Sequence, residues 1–402
     1  MKNSRRWFLR AVAAAGGVVV AACRGKTPDP APAPSLLGGP ISRYGERSPF
    51  EKSTRLLSTR NYMEEASSRT PLQDGHGIIT PSSLHFERHH AGVPKIDSAQ
   101  HELLIHGLVD RPIVFRVDEL KRLPSVSRIY FLECSGNSGT SWRPVPQPSA
   151  QAAHGLTSCS DWTGVPLAVL FKEAGIKPEG KWFVAEGADA CRMTRSVPIE
   201  KAWDDALVAY AQNGEALRPE QGYPIRLLLP GWEGNASVKW LRQIKVVDQP
   251  FMTREETSKY TDLLPDGRAR QFTFMMEAKS LITRPSAGQK LASAGFHEIS
   301  GLAWSGSGAI ARVEVSTDAG ATWSDATLQL PVLPKAHTRF TFPWRWDGRE
   351  AVLVARCTDD TGYVQPSRAE LVDARGLQST YHCNATQGWK VNADGSVVDA
   401  AL

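Results

Sequence analysis

Apolar and polar residues alternate from His101 to Val109, and the alternation stops at Asp110, as in a strand with one buried face that runs into a turn. A second short strand is predicted over Ile113 to Val117. Asp118 follows as N-cap of a helix over Glu119 to Leu123, which Pro124 ends. Ile129 to Leu132 is a β-rich apolar segment that delivers Cys134 to a sheet edge, just where the chain breaks into a Gly/Asn turn. Leu167 to Ala174 has the apolar spacing of a helix packed on a sheet. Trp182 to Glu186 and Ile225 to Leu229 read as buried strands bounded by Gly and Pro, and Val238 to Val247 alternates as another. Short helices and strands without a regular βαβ repeat favour an α+β fold over a doubly wound sheet.

Near Phe272 the pattern changes to strand after strand: Glu298 to Trp304, Ala311 to Ser316, Thr338 to Trp346 and Ala351 to Asp359. Asp318 to Trp323 (DAGATW) is a hairpin turn followed by tryptophan. These features predict a second, all-β domain, a sandwich of about 100 residues. The chain accordingly divides into 1–24, 25–49, 50–270 and 271–402. The first is a leader, the second a polar Pro-rich linker or arm, the third the α+β domain, and the last the sandwich with its tail.

The amino terminus pairs Arg5 and Arg6 before Trp7-Phe8-Leu9, ahead of the uncharged stretch Ala11 to Ala22. That stretch is too short to cross a bilayer as a helix and reads as an export signal. The paired arginines point to twin-arginine export to the periplasm, a route for proteins folded around a cofactor; an ordinary signal with two adjacent arginines is the plainer reading. Val20-Ala21-Ala22-Cys23 fits a lipoprotein cleavage box, with a lipid anchor at Cys23, as well as it fits cleavage without lipid.

Composition narrows the partners. The formal charge of +5 includes Lys2, Arg5, Arg6 and Arg10 of the leader, so about +1 remains without them, and nucleic acid is not an expected partner. The cysteines Cys23, Cys134, Cys159, Cys191, Cys357 and Cys383 are widely spaced. No CxxC pair occurs, which argues against zinc, iron–sulfur and c-type haem sites and leaves any disulfide between Cys159 and Cys191 open.

Taken together, the motifs FERHHAGVP (Phe86 to Pro94), ECSGN (Glu133 to Asn137), DWTGVPL (Asp161 to Leu167), EGAD (Glu186 to Asp189), GYPIRLLLPG (Gly222 to Gly231), SVKWL (Ser237 to Leu241), GLAWSGSG and STDAGATW resemble the sulfite oxidase family of molybdopterin enzymes. Within it they most resemble the sulfane dehydrogenases of bacterial thiosulfate oxidation. The resemblance implies a molybdopterin-binding domain followed by an immunoglobulin-like sandwich that dimerises, with Mo-molybdopterin as cofactor. It implies Cys134 as the protein thiolate on molybdenum, a soft ligand for such a centre. The residues matching the family's pterin contacts are Phe86, Glu87, Arg88, His89, His90, Asp189, Gln221, Arg226, Ser237, Val238 and Lys239, with Arg226 and Lys239 as phosphate partners. Gln221 stands where the family commonly has histidine. Read without the resemblance, Lys239 is a solvated strand residue, His89 and His90 are ordinary histidines, and Asp189 belongs to a turn.

For the reaction, the resemblance implies Arg88 as the group that orients an anionic sulfur substrate and Tyr260 as a hydrogen-bond donor beside it. Two arginines of the family's sulfite oxidases are missing: Ser138 and Gly139 follow ECSGN, and the tail carries Gln387 where another is expected. A less cationic entrance suits sulfane sulfur carried on a protein cysteine better than free sulfite. The expected activity is therefore oxidation of protein-bound sulfane to sulfonate, with electrons leaving to a dihaem c-type cytochrome subunit in an α2β2 assembly. The alternatives are a free sulfite dehydrogenase or a non-catalytic periplasmic binding protein.

Overall fold

Segments whose apolar residues are spaced for one buried face form strands close to where that spacing puts them. The computed structural model describes residues 39, 41–58 and 65–402. The leader, the Cys23 box and most of the linker lie outside the described residues. Residues 41–52 belong to a unit of their own and are exposed, without helix or strand; the second unit runs from Ser53 to Leu402.

In the second unit the α+β half is built on two five-stranded sheets. One has the order Ile113–Arg116, Glu102–Gly107, Leu241–Val247, Trp182–Gly187, Thr194–Pro198. Only Glu102–Gly107 and Leu241–Val247 run parallel in it. The other has Val126–Glu133 at its edge, then Thr157–Pro166 and Leu207–Gln212, with Glu215–Ala216 and Arg226–Leu228 both paired to the last. The helix Leu167–Ala174 buries Leu167, Leu170, Phe171 and Ala174 completely. At about 1.5–3 kcal/mol for each large apolar side chain, that face holds the helix on the sheet. It stops at Gly175, φ +70°, where a Cβ would lie 2.6 Å from Asp110 Oδ2. A small three-stranded sheet of Leu56–Leu57, Ala66–Arg69 and Glu87–His89 presents FERHH.

The all-β half is a sandwich. Lys279–Arg284, Gly295–Trp304, Thr338–Trp346 and Thr327–Leu328 make one sheet. Ser324–Asp325, Ile310–Ser316, Ala351–Asp359, Gly388–Val391 and Val397–Asp399 make the other. The DAGATW turn is closed by Asp318, whose carboxylate accepts from Thr322 N at 2.8 Å. The sandwich core of Trp304, Phe340, Leu353 and Trp389 continues into Phe131 and Cys159 of the α+β half, so the strand that ends at Cys134 is packed by both halves.

Two local expectations are corrected. The short helix is Val117–Leu120, with Asp118 in its first turn rather than at its cap. Its carboxylate instead pairs with Arg122 at 2.8 Å. The last strand of the first sheet begins at Leu241, not Val238, because Trp240 takes φ +53° and breaks the extended run. A helix not read from the sequence, Arg368–Arg375, is nucleated by a capping box between Ser367 and Glu370. All five cysteines among the described residues are free thiols, so Cys159 and Cys191 do not pair.

Candidate active site

A cleft of about 700 Å³ opens at the end of the edge strand. It brings together every residue singled out above as a pterin, metal or substrate contact: Phe86 to His90, Cys134, Asp189, Gln221, Arg226, Ser237, Val238, Lys239 and Tyr260. Cys134 sits in a tightly held turn. Its amide donates to Leu156 O at 2.9 Å, and its carbonyl accepts from Asn137 N at 2.8 Å. The Asn137 amide group then donates to Glu133 Oε1 and accepts from Leu156 N. Gly234 passes so close that a Cβ there would be 2.9 Å from Glu133 O, which accounts for glycine at that position. Burial pushes the Cys134 thiol pKa up. A coordinated metal ion would reverse that by stabilising the thiolate.

At the far end of the cleft two cations, Arg226 buried and Lys239 half-buried, stand without a hydrogen-bonded carboxylate. The Arg226 guanidinium meets only the backbone carbonyls of Leu227, Gln221 and Ser237 and lies 5.3 Å from the Trp162 ring. Burial pulls its pKa down to about 9. Lys239 Nζ is 2.8 Å from His89 Nδ1 and donates to Arg88 O and Glu220 O. Burial and then the nearby Arg226 charge bring its pKa down to about 7. The lysine is thus drawn into the cleft rather than set on a solvated strand face. Two positive groups desolvated side by side call for an anion between them.

The other contacts position this end. Gln221 Nε2 donates to Phe86 O at 2.8 Å, and Ser237 Oγ accepts from Leu229 N at 3.0 Å. Val238 O accepts from Leu227 N. Asp189 accepts from Met193 N and from the Cys191 thiol, and these contacts hold the loop that forms one wall. His89 Nε2 lies 2.6 Å from Glu87 Oε2, and Glu87 also pairs with Arg55.

At the Cys134 end, Arg88 pairs with Glu65 and donates to His89 O. The Tyr260 hydroxyl is 3.0 Å from His90 Nε2, and its pKa is pushed up by burial and by the neighbouring Cys134. Tyr260 has φ +52°, so its ring is turned inward by a left-handed backbone. Behind it stand groups that sequence reasoning did not find. Arg195, 1% exposed, pairs with Glu233 at 2.9 Å and Glu256 at 3.0 Å, and its guanidinium lies 5.0 Å from the Tyr260 ring. His382 Nε2 lies 3.2 Å from the second oxygen of Glu233, and the His382 amide donates to Ser135 O at 2.8 Å. Gln387, by contrast, is not a cleft residue. It bonds His154, Gly388 and Asp399 in the interior, so no missing tail arginine is to be sought there. Ser138 likewise points away from the cleft, to His154 and Lys279.

The cleft suits a large polar anionic group. Two buried polar atoms that line it, His85 Nε2 and Asn235 Oδ1, have no hydrogen-bond partner among the described residues. A family described as oxidoreductase molybdopterin binding domain matches residues 90–255, and one described as Mo-co oxidoreductase dimerisation domain matches residues 270–387. The crystal structure of the sulfane dehydrogenase SoxCD from Paracoccus pantotrophus superposes with TM-score 0.85 at 44% identity, covering 89% of this chain and 95% of that chain. The chain belongs to the sulfite oxidase family. NADH nitrate reductases are also similar: that of Solanum lycopersicum is 32% identical over 336 residues, covering 73% of this chain and 37% of that protein. Nitrate reductase 1 of Arabidopsis thaliana is 31% identical over 326 residues, covering 73% and 35%. The chain spans little more than a third of the length of these curated relatives.

Membership in the sulfite oxidase family makes Mo-molybdopterin the cofactor and the enzyme an oxidoreductase. The donor set fits: one thiol, Arg226 and Lys239 without hydrogen-bonded carboxylates, and unsatisfied imidazole and amide atoms, all in the cleft lining.

Proposed function

We propose that this chain is the catalytic subunit of a periplasmic enzyme that oxidises sulfane sulfur, carried on a cysteine of a partner protein, to sulfonate in thiosulfate oxidation. It passes the electrons to a dihaem c-type cytochrome subunit. The reading is supported by the 44% identity to a sulfane dehydrogenase, higher than the 32% to nitrate reductase. It is also supported by the wall beside Cys134, where Arg88 is already paired with Glu65. The paired arginines of the leader support export, and the sandwich supports a homodimer at the centre of an α2β2 assembly.

In this reading Cys134 holds the metal, Arg226 and Lys239 hold the phosphate, and Phe86, Glu87, His89, His90, Asp189, Gln221, Ser237 and Val238 line the seat of the pterin. When bound, the molybdenum centre supplies two-electron oxygen-atom chemistry. The chain's own contribution is placement. Arg88 steers the anionic sulfur, and Glu65 tempers its charge. Tyr260, its pKa raised, stays protonated and donates a hydrogen bond to a substrate oxygen, with His90 fixing the ring. The desolvated cleft strengthens both interactions.

The test is steady-state turnover with cytochrome c as acceptor, comparing the thiosulfate-loaded carrier protein with free sulfite. The carrier is expected to give the higher kcat/KM; faster turnover of sulfite than of carrier overturns the reading in favour of a sulfite dehydrogenase.

A further inference from the structure

A buried polar cluster outside the cleft joins the cysteine turn to the sandwich. Lys279, at the start of the strand Lys279–Arg284, is 1% exposed. Its ammonium donates to Glu133 Oε1 at 3.2 Å, Ser138 Oγ at 2.7 Å and Cys383 O at 2.9 Å. Those three contacts use all its protons. Trp304 of the same sheet donates its indole N–H to Glu133 Oε2 at 2.6 Å. Glu133 and Ser138 are the residues on either side of Cys134–Asn137, so both ends of the turn are gripped by side chains of the other domain.

Glu133 is itself 1% exposed and needs a cation. The turn has none to give: residues 134–138 are Cys, Ser, Gly, Asn and Ser, with no basic side chain among them. The positive charge therefore comes from a different part of the chain. A well-packed apolar pair of the same volume would hold two domains together at least as well as a buried ion pair, so packing alone gives no reason for a lysine here.

We propose that Lys279 is a positioning residue for Cys134. By neutralising Glu133 and pinning Ser138 it fixes where the thiol points, so that the seating of the sandwich domain sets the geometry of the metal ligand. This rests on Cys134 being the molybdenum ligand.

The test uses full-length Lys279→Met and Lys279→Gln, the second keeping a donor while removing the charge. In the cofactor-free chain, alkylation is mapped by peptide mass spectrometry at Cys134, with the buried Cys159 and Cys357 as internal reporters of global opening; Cys383 does not serve, because Lys279 bonds its carbonyl. Cys134 is expected to react about 10- to 100-fold faster than in wild type, while the two reporters change little. In the holoenzyme kcat is expected to fall by about 10- to 100-fold with KM within about twofold. The visible absorption of the thiolate–molybdenum bond should shift. Cys134 reactivity that rises only in step with the reporters, or that stays at the wild-type rate in whichever variant folds, overturns the proposal. Cys134→Ser separates the two ideas: if it retains the thiolate–metal absorption and turnover, the ligand assignment fails, whatever Lys279 does.

Discussion

Replacing Arg195 by methionine removes the cation shared by two buried carboxylates. Against burial, which would raise it, Arg195 and then His382 hold the Glu233 pKa at about 2, down from an ordinary 4.5. At about 1.4 kcal/mol per pH unit, that difference is worth about 3 kcal/mol of stability at neutral pH. Glu256 loses its guanidinium as well, though Ser196 N still donates to it at 2.9 Å. Breaking a buried pair from one side costs about 3–5 kcal/mol, so the two routes agree.

The sign follows from the lowered pKa. Glu233 stabilises the fold above pH 4.5, and that stabilisation fades as the pH falls toward about 2. In the variant the carboxylate has lost its main partner, so its pKa rises and it protonates earlier. The penalty of the substitution should therefore be largest at neutral pH and shrink in acid. Urea unfolding of the cofactor-free chain, followed by tryptophan fluorescence, should give a loss of about 3–5 kcal/mol near pH 7 and clearly less near pH 3. A loss below about 1 kcal/mol at neutral pH, or one that is the same at both pH values, refutes the reasoning.

Other substitutions and conditions give sharper readings of the cleft. Cys134→Ser should leave the fold intact, since the thiol is a small, partly buried group at the edge of an apolar cluster, yet abolish turnover and the thiolate–metal absorption band. Tyr260→Phe should lower kcat by about 10²–10³-fold if its hydroxyl assists the reacting oxygen, and an unchanged kcat would remove it from the chemistry. Lys239 is largely neutral above its pKa of about 7, and a bound phosphate would restore its charge. Cofactor binding at pH about 8 should therefore take up close to one proton, measured by titration calorimetry in buffers of different ionisation enthalpy; no uptake would separate Lys239 from the phosphate. Lys239→Met should weaken cofactor retention on dialysis while sparing the urea midpoint of the cofactor-free chain.

Motifs with local physics were legible in the sequence. The helix Leu167–Ala174 was readable to the residue because its apolar spacing, proline start and glycine stop agree. The strands Thr338–Trp346 and Ala351–Asp359 were readable because they are long and bounded by turn residues. What escaped was set by contacts between distant segments. Trp240 leaves the strand conformation because its indole N–H donates to Pro219 O at 2.9 Å, a partner 21 residues away. Arg195 and Glu233 carry no motif that links them; the packing of the edge strand Thr194–Pro198 against the Gly234–Ala236 turn brings them together. Lys279 was invisible for the same reason: it heads a strand of mixed residues, KSLITR, and nothing local marks its partners. Ser367 and Glu370 were a missed local signal, since their spacing is that of a capping box.

The distribution of charge along the cleft explains how one fold can seat a polyanionic cofactor and still refuse to become a general anion trap. At the pterin end, Arg226 and Lys239 are bare of hydrogen-bonded carboxylates and hold an open demand for negative charge. At the Cys134 end the buried carboxylates are each met by a cation from elsewhere, Glu133 by Lys279 and Glu233 by Arg195. Arg88, the guanidinium that lines this end, is met by Glu65. A small free dianion that turns to Arg88 must displace an existing ion pair to be held, although the partly buried Arg69 near Cys134 adds a positive charge to that end. A sulfur delivered on a protein arm carries its own binding surface outside the cleft, so its affinity depends less on local charge, and a cleft arginine that is already paired then favours delivered over free substrate.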